Sequence, residues 1–228
     1  MLRAILFDFD GVIVDSEPLI MRLTQQMAAR EGWIVTAEEY YRDYLALDDR
    51  GIVEHLFQSH GQPVNAARRD ELVRWKAQAY QEAIGDGLPA MPGAIEFVRE
   101  CARQYPLAIA SGSLRQEVEP LLKKLGLREE FSVLATADDC ERSKPDPTIY
   151  RIALERLGKL DVFKERGLKA DECLAIEDAP LGVKAAQAAG MKCMALAHSR
   201  PIEELRHADW VFRNFAEASL PEIAKAYT

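Results

Sequence analysis

The sequence predicts an α/β fold: a doubly wound, mostly parallel sheet with a helical domain inserted after its first strand. Short apolar runs recur along the chain, and helical patterns lie between the later ones. Strands that alternate with helices in this way form right-handed crossovers and a parallel sheet. One long segment, residues 16–87, contains helical patterns and no strong strand run. The strand runs are residues 4–7, 106–110, 131–135, 173–176 and 191–196.

The first strand, AILF at residues 4–7, is continuously apolar, a pattern typical of a strand that is covered on both faces. The segment that follows carries one amphipathic helix ending at Gly32 and another ending at Gly85. A simple crossover needs only about 30 residues, so we expect a separate helical domain here. The predicted domains are a discontinuous core, residues 1–15 and 88–228, and an inserted helical domain, residues 16–87.

Three later helices are predicted from capping residues at their starts and glycines at their ends. Each lies between two of the apolar runs, as crossover connections require. Their predicted limits are Ser113 (a capping box with Gln116) to Gly126, Asp146 (an N-cap before Pro147) to Gly158, and Pro180 to Gly190.

The composition excludes several classes of protein. The 228 residues include 29 Lys and Arg against 37 Asp and Glu, which gives a formal net charge of −8. Such a chain lacks the electropositive face that nucleic acid or an anionic membrane requires. No stretch approaches the roughly 20 apolar residues of a membrane span, and no signal-peptide pattern is present, so we expect a cytoplasmic protein. The cysteines form no C-x-x-C pair and are expected to pack in a reducing compartment; they are Cys101, Cys140, Cys173 and Cys193.

Acidic residues follow two of the predicted strands. Asp8 and Asp10 come directly after the first strand, and Glu177 and Asp178 follow the run 173–176. Because the carboxyl ends of parallel strands meet at one edge of a sheet, we expect these side chains to converge. Like charges at such short range repel unless a cation lies between them. Oxygen ligands select a hard cation, so the sequence predicts a Mg²⁺ site.

Phosphate-binding groups are predicted at the same edge. Ser111 and Gly112 follow the run 106–110 at the start of a predicted helix, where a hydroxyl and backbone N–H groups suit an oxyanion. Lys144 precedes the next predicted helix and supplies a positive point charge for a phosphate or for a nucleophilic carboxylate. The occurrence of these groups after successive strands indicates phosphate chemistry.

Four motifs in this order, DFDGV, ASGS, SKPDP and IEDAPLG, resemble those of the haloacid dehalogenase-like (HAD) superfamily. The likeness is to the phosphatase and β-phosphoglucomutase branch, whose helical cap lies between the first and second motifs. It implies a Rossmann-like core, with residues 16–87 as the cap. It also implies that Asp8 is the nucleophile that forms an aspartyl-phosphate. Asp10 would be the general acid for the leaving alkoxide and then the base for the hydrolytic water.

The same resemblance implies how the metal and the phosphate are held. Mg²⁺ would be bound by Asp8, the backbone carbonyl of Asp10 and Asp178, with Glu177 bound directly or through water. Ser111 and Lys144 would bind the transferring phosphoryl group. Members of the superfamily that cleave C–Cl or C–P bonds lack an acid at the position of Asp10, so this residue favours phosphate esters.

The leading hypothesis is a Mg²⁺-dependent phosphatase for a small metabolite, such as a sugar phosphate or phosphoglycolate, working as a monomer or small homo-oligomer. Arg50 and Lys76 are candidate substrate contacts in the cap, with ordinary exposed basic side chains as the alternative. A hexose-phosphate mutase is the nearest other enzyme, although Ile20 stands where that branch typically has a histidine. A non-catalytic phospho-accepting or binding protein is the alternative from another class. The four histidines are assigned to the surface or to packing.

Overall fold

The computed structural model describes residues 1–45, 47, 49–85, 87–198 and 200–227. They divide into two compact units, one of Met1–Asp15 with Leu88–Thr228 and one of Ser16–Gly87. Among the helices in the described ranges, none is both long and apolar enough to cross a membrane.

The first unit is built on a parallel sheet, which confirms the predicted fold class. In the described part of the chain the sheet has six strands in the order β3-β2-β1-β4-β5-β6, and each neighbouring pair is parallel. The chain passes outward from the centre in both directions, as a doubly wound sheet does. The strands are β1 (Ala4–Phe7), β2 (Leu107–Ala110), β3 (Phe131–Ala135), β4 (Cys173–Glu177), β5 (Lys192–Leu196) and β6 (Trp210–Phe212).

Five of these strands match the apolar runs in the sequence, whereas β6 was not predicted. It has only three residues, all half-buried, and it pairs with β5 at the edge of the sheet. A strand this short gives no continuous apolar run, so pairing with its neighbour defines it more than its own composition does.

Helices connect the strands and form most of the second unit. We number them in chain order within the described residues, leaving out isolated 3₁₀ turns. They are α1 (Glu17–Arg30), α2 (Ala37–Glu39), α3 (Asp49–Ser59), α4 (Ala66–Ile84), α5 (Ala94–Ala102), α6 (Arg115–Lys124), α7 (Thr148–Gly158), α8 (Pro180–Ala188), α9 (Ile202–Leu205) and α10 (Leu220–Lys225).

Helices cover β1 on both faces, which explains its continuous apolar sequence. Leu6 belongs to a buried cluster that includes Tyr150 of α7 and Val183 of α8. The next residue, Phe7, points to the other face, where its ring lies 6.5 Å from the ring of Phe97 in α5. Successive side chains of a strand alternate between faces, so both must be apolar here.

Two predicted helix starts differ from the structure by one or two residues. The helix assigned to the Ser113 capping box begins at Arg115, because the carboxylate of Glu117 accepts a hydrogen bond from the N–H of Leu114 at 2.8 Å. The helix assigned to Asp146 begins at Thr148, with Pro147 as its N-cap. The predicted start at Pro180 is correct.

The second unit has an apolar core of its own. Met27 of α1, Leu56 of α3 and Leu72 of α4 are buried in one cluster. A π-helical turn, Tyr40–Tyr44, adds two buried tyrosine rings that stack with their centroids 6.2 Å apart. Residues 16–87 therefore bury apolar side chains among themselves, as an independently folding unit does.

Candidate active site

The carboxyl ends of β1 and β4 lie side by side. Phe7 pairs with Ile176 in the ladder, and the N–H of Asp8 donates to the Ile176 carbonyl at 2.9 Å. The residues that follow the two strands therefore leave the sheet together. One carboxylate oxygen from each of Asp8, Glu177 and Asp178 lies within 4.8 Å of the others. The sheet gathers three of the four predicted acidic side chains into one cluster.

Lys144 bridges two members of this cluster. Its Nζ atom lies 2.8 Å from Asp8 Oδ1 and 2.6 Å from Glu177 Oε1, and its side chain is only 13% exposed. Burial alone would lower the pKa of Lys144, but the charges of Asp8 and Glu177 raise that pKa above its ordinary value. The ammonium group therefore stays protonated at neutral pH and remains paired with both acids.

Glu177 is fully buried, and its two oxygens have different surroundings. Oε1 accepts hydrogen bonds from Lys144 and, at 2.5 Å, from the Tyr150 hydroxyl. Oε2 is buried and accepts no hydrogen bond from any residue that the structure describes. Burial first, and then the charge of Asp8, raise the pKa of Glu177. An unpaired buried oxygen is costly, and a bound cation would satisfy it.

Tyr150 is a site residue that the sequence analysis missed. It lies on α7, and the ring centroid is 5.4 Å from Lys144 Nζ. Burial and the neighbouring charge of Glu177 raise the pKa of Tyr150, so its hydroxyl keeps the proton that it donates. In the sequence Tyr150 is one of several large residues on the buried face of a helix. No pattern of spacing distinguishes its polar contact from packing.

Gly11 forms the turn after β1 and approaches Asp178. Its φ is +71°, and a Cβ atom at this position would overlap the Asp178 carboxylate. Glycine is the residue that combines this backbone conformation with so close an approach. Burial, and then the charges of Asp8 and Glu177, raise the pKa of Asp178 well above its usual range.

His198 is a second residue that the sequence analysis left outside the site. Its Nε2 atom lies 2.6 Å from the Gly11 carbonyl oxygen and 3.7 Å from Asp178 Oδ2. His198 is exposed, as the assignment to the surface or to packing expects, and it also borders the acidic cluster. His198 follows β5 by two residues, so the strand-end argument that selected the acidic residues would have selected it too.

The other three histidines fit the packing assignment. The rings of His60 and Trp33 stack with their centroids 4.4 Å apart. His55 meets the ring of Tyr44 edge-on at 4.9 Å. His207 is half-buried, with its Nε2 atom 3.4 Å from the carbonyl oxygen of Pro180.

Asp10 and the loop after β2 form a second group of contacts. Asp10 Oδ2 accepts a hydrogen bond from Ser113 Oγ at 2.5 Å. Ser111 is fully buried, and its Oγ accepts the N–H of Ser113 at 2.9 Å. At Gly112 a Cβ atom would meet nothing within 4 Å, so this backbone borders open space. The phosphate-binding roles of Ser111 and Gly112, and a metal contact through the Asp10 carbonyl, stay predictions.

The predicted cap residues, Arg50 and Lys76, lie in the second unit. Lys76 is only 5% exposed and forms an ion pair with Asp49, so it is not an ordinary exposed lysine. Arg50 is exposed on α3. Their contact with a substrate stays a prediction.

The donor set of the cluster fits Mg²⁺. Asp8, Glu177 and Asp178 offer carboxylate oxygens at short range, and two of these acids have raised pKa values because they are buried among like charges. A hard divalent cation takes such oxygens as ligands and removes the repulsion between them. The buried, unpaired Oε2 of Glu177 is the kind of acceptor that such an ion satisfies.

Comparison with known proteins identifies the family of this chain. The family model of the haloacid dehalogenase-like hydrolases matches residues 2–190. The chain belongs to this family. The resemblance drawn from the four motifs is thereby confirmed, and the parallel sheet of this HAD-like hydrolase is the one the family implies.

Similar proteins narrow the class of reaction. The HAD-like hydrolase is 28% identical to validoxylamine A 7'-phosphate phosphatase of Streptomyces hygroscopicus subsp. limoneus, over 98% of this chain and 99% of the relative. It is 29% identical to hexitol phosphatase B of Escherichia coli O157:H7, over 96% and 93%. The solved structure of CbbY from Rhodobacter sphaeroides in complex with phosphate is similar with a TM-score of 0.77 and 28% identity, over 95% and 96%. The predicted enzyme class, a phosphoric monoester hydrolase, is confirmed.

Proposed function

We propose that this phosphoric monoester hydrolase is a Mg²⁺-dependent phosphatase that hydrolyses a small sugar phosphate through an aspartyl-phosphate on Asp8. The observation that carries the proposal is the contact of Asp8 with Lys144 at 2.8 Å, beside two further acidic side chains. A carboxylate nucleophile, a fixed cation and a set of metal-binding oxygens are the parts that phosphoryl transfer needs at one point.

In the first step, a carboxylate oxygen of Asp8 forms a bond to phosphorus while the bond from phosphorus to the leaving oxygen breaks. Asp10 gives its proton to that oxygen, so the product leaves as a neutral alcohol. In the second step, Asp10 takes a proton from water as the water oxygen attacks phosphorus. The acyl-phosphate bond then breaks, which releases inorganic phosphate and regenerates the Asp8 carboxylate.

The basic and polar residues at the strand ends bind the phosphoryl group in this proposal. The positively charged side chain of Lys144 is only 13% exposed. Water therefore screens its attraction for a bound phosphate oxygen only weakly. Ser111 and the backbone at Gly112 supply hydrogen-bond donors on the neighbouring loop. Positioning of the groups and stabilisation of charge on the phosphoryl oxygens account for most of the acceleration of each step.

Asp8, Glu177 and Asp178 would hold Mg²⁺ through their carboxylate oxygens, with the backbone carbonyl of Asp10 as a further ligand. Bound there, the cation supplies positive charge that offsets both the acidic cluster and the phosphate oxygens. The short range of the three carboxylates supports this assignment.

A sugar phosphate is the substrate class that the relatives favour, since one is named hexitol phosphatase B and another validoxylamine A 7'-phosphate phosphatase. Residues 16–87 would serve as a cap that contacts the leaving group, with Arg50 and Lys76 as candidate contacts. Lys76 already forms an ion pair with Asp49. We therefore expect Lys76 to donate hydrogen bonds to sugar hydroxyls and Asp49 to accept hydrogen bonds from them.

The test is the release of inorganic phosphate from 4-nitrophenyl phosphate and from a panel of sugar phosphates. Wild type should release phosphate with Mg²⁺ and lose activity in EDTA, and Asp8→Asn should be at least about a thousandfold slower. Asp161→Asn changes an aspartate that is 90% exposed and is the matched control. Equal rates for wild type and Asp8→Asn would refute the nucleophile assignment. Interconversion of sugar phosphates without phosphate release would indicate a mutase instead.

A further inference from the structure

Ser113 joins the loop after β2 to Asp10. Its N–H donates to Ser111 Oγ at 2.9 Å, and its carbonyl accepts the N–H of Ala137 at 3.0 Å. Both backbone groups are therefore fixed by the loop and by the segment after β3. The hydroxyl is left to donate to Asp10 Oδ2, at 2.5 Å and across 103 positions of sequence.

We propose that Ser113 is a positioning residue for the general acid, and that its hydroxyl fixes the orientation of the Asp10 carboxyl group. The inference rests on the proposed function, because it concerns a proton that Asp10 gives to the leaving oxygen. It gives a role in the reaction to Ser113, for which the sequence predicted only a helix cap.

The hydrogen bond to the Asp10 carboxyl group supports this inference. Ser113 Oγ lies 2.5 Å from Asp10 Oδ2, and the backbone N–H and carbonyl of Ser113 are themselves hydrogen-bonded. General acid catalysis requires the acid to lie within hydrogen-bond reach of the oxygen that it protonates. The Ser113 hydroxyl therefore fixes the orientation from which Asp10 protonates the leaving oxygen.

The Ser113 hydroxyl has no structural task in the helix that follows. The first turn of α6 is capped by the carboxylate of Glu117, which accepts the N–H of Leu114 at 2.8 Å. The sequence pattern had predicted Ser113, and not Glu117, as the residue whose side chain caps this helix. Because the cap does not need the hydroxyl, its removal should leave α6 intact and act on Asp10 alone.

The test compares Ser113→Ala, Ser113→Thr, Asp10→Asn and wild type on three phosphate esters. The substrates are 4-nitrophenyl phosphate, phenyl phosphate and glycerol 3-phosphate, whose leaving groups depend on protonation to an increasing degree. The measured quantity is kcat/KM, which reports the step that forms the aspartyl-phosphate and excludes its later hydrolysis. Thermal unfolding of each variant and competitive inhibition by inorganic phosphate are recorded in parallel.

We expect Ser113→Ala to lower kcat/KM about tenfold on glycerol 3-phosphate and less than about threefold on 4-nitrophenyl phosphate. Ser113→Thr keeps a hydroxyl and should recover most of the wild-type ratio between the two substrates. The inhibition constant for phosphate should stay within about twofold, since Ser113 acts through Asp10 and not on the phosphoryl group.

Two results would overturn the inference. An equal fall on all three substrates, or a Ser113→Thr variant as impaired as Ser113→Ala, would show that the hydroxyl does not act through the acid. A loss of inhibition by phosphate would make Ser113 a phosphate ligand instead. A failure of the proposed function would give a different result. If Asp10 is not the general acid, the fall in kcat/KM of Asp10→Asn would be the same for all three leaving groups.

Discussion

The backbone of Gly11 lies against the carboxylate of Asp178, so closely that a Cβ atom on Gly11 would overlap it. The contact joins the turn after β1 to the first residue after β4, which are two of the segments that form the acidic cluster. His198 Nε2 donates a hydrogen bond to the carbonyl oxygen of Gly11, in this turn, at 2.6 Å. The position of Asp178 therefore depends on the absence of a side chain at residue 11.

Gly11→Ala should lower the affinity for Mg²⁺ strongly and the free energy of unfolding only modestly. The added methyl group displaces the Asp178 carboxylate, and we expect the Mg²⁺ concentration for half-maximal activity to rise at least about tenfold. Gly167→Ala is the control, because Gly167 has the same φ of +71° and open space around its Cβ position. Both variants should lose about 1–2 kcal/mol of unfolding free energy to backbone strain.

The readout for Gly11→Ala is twofold: activity against Mg²⁺ concentration, and the rise in Tm when Mg²⁺ is added. Wild type and Gly167→Ala should be stabilised by the ion to the same degree, and Gly11→Ala much less. Equal stabilisation of all three proteins would mean that Asp178 does not need its observed position to bind the ion.

Gly182→Ala tests whether the position of the Glu177 carboxylate also depends on the absence of a side chain beside it. Gly182 lies in α8, and a Cβ atom there would overlap the carboxylate of Glu177. We expect a loss of about 1–3 kcal/mol in unfolding free energy from overpacking, with kcat/KM at least about tenfold lower because Glu177 also holds Lys144. In Gly158→Ala, the control, the Cβ atom would lie 4.0 Å from Leu168 Cβ, an ordinary contact.

Chemical denaturation and phosphate release on both glycine variants check this prediction. Gly158→Ala should unfold at an unchanged or higher denaturant concentration, since alanine is favoured in helices by up to about 1 kcal/mol. A Gly182→Ala variant as stable and active as wild type would contradict the close packing of α8 on Glu177.

The convergence of Asp8, Glu177 and Asp178 could be predicted because it depends on one rule: parallel strands end at the same edge. The continuous apolar runs located β1 and β4, and the acids follow them directly in the chain. The same rule places Lys144 near the edge but does not give its two ion pairs, since those depend on the path of the loop after β3.

Other features depend on tertiary packing that no local pattern encodes. A serine that precedes a helix can cap that helix or can form a hydrogen bond with a distant acidic residue. Only the fold shows that Ser113 contacts Asp10. Tyr150 lies on the buried face of α7, where the rotation of the helix against the sheet brings its hydroxyl to Glu177. The three half-buried residues of β6 become a strand through pairing with β5.

Tyr150→Phe should impair catalysis without unfolding the protein. It removes the hydroxyl that donates to Glu177 at 2.5 Å and leaves the ring in place. We expect kcat/KM to fall about tenfold, since groups that orient a ligand or a reacting residue contribute on this scale. Tyr227→Phe is the matched control, because the buried Tyr227 donates to the Cys173 carbonyl at 3.0 Å, at the opposite end of β4.

Steady-state kinetics and thermal unfolding of the two tyrosine variants separate catalysis from stability. Each should lower the unfolding free energy by about 1 kcal/mol for one lost hydrogen bond, and only Tyr150→Phe should lower kcat/KM. A similar loss of activity in both variants would show that Tyr150→Phe acts through a loss of stability and not through the active site.

Asp139, which lies between β3 and α7, should stabilise the fold at neutral pH and lose this contribution as the pH falls below about 4. Its oxygens pair with both terminal nitrogens of Arg156, at 2.5 Å and 2.8 Å, and it also accepts the N–H of Thr136. The Arg156 hydrogen bonds lower the pKa of Asp139 from 3.8 to about 2. Because the folded pKa lies below the unfolded one, the unfolded chain takes up this proton first as the pH falls.

The Asp139 contribution is therefore complete above the unfolded pKa and is lost as the pH falls towards about 2. Asp139→Asn should lower the unfolding free energy by up to about 2 kcal/mol at pH 7, and its difference from wild type should shrink between about pH 4 and pH 2. Urea denaturation across this range measures it, with Asp161→Asn as an exposed control. A difference that stays constant with pH would show that the Arg156 pair does not stabilise the ionised carboxylate.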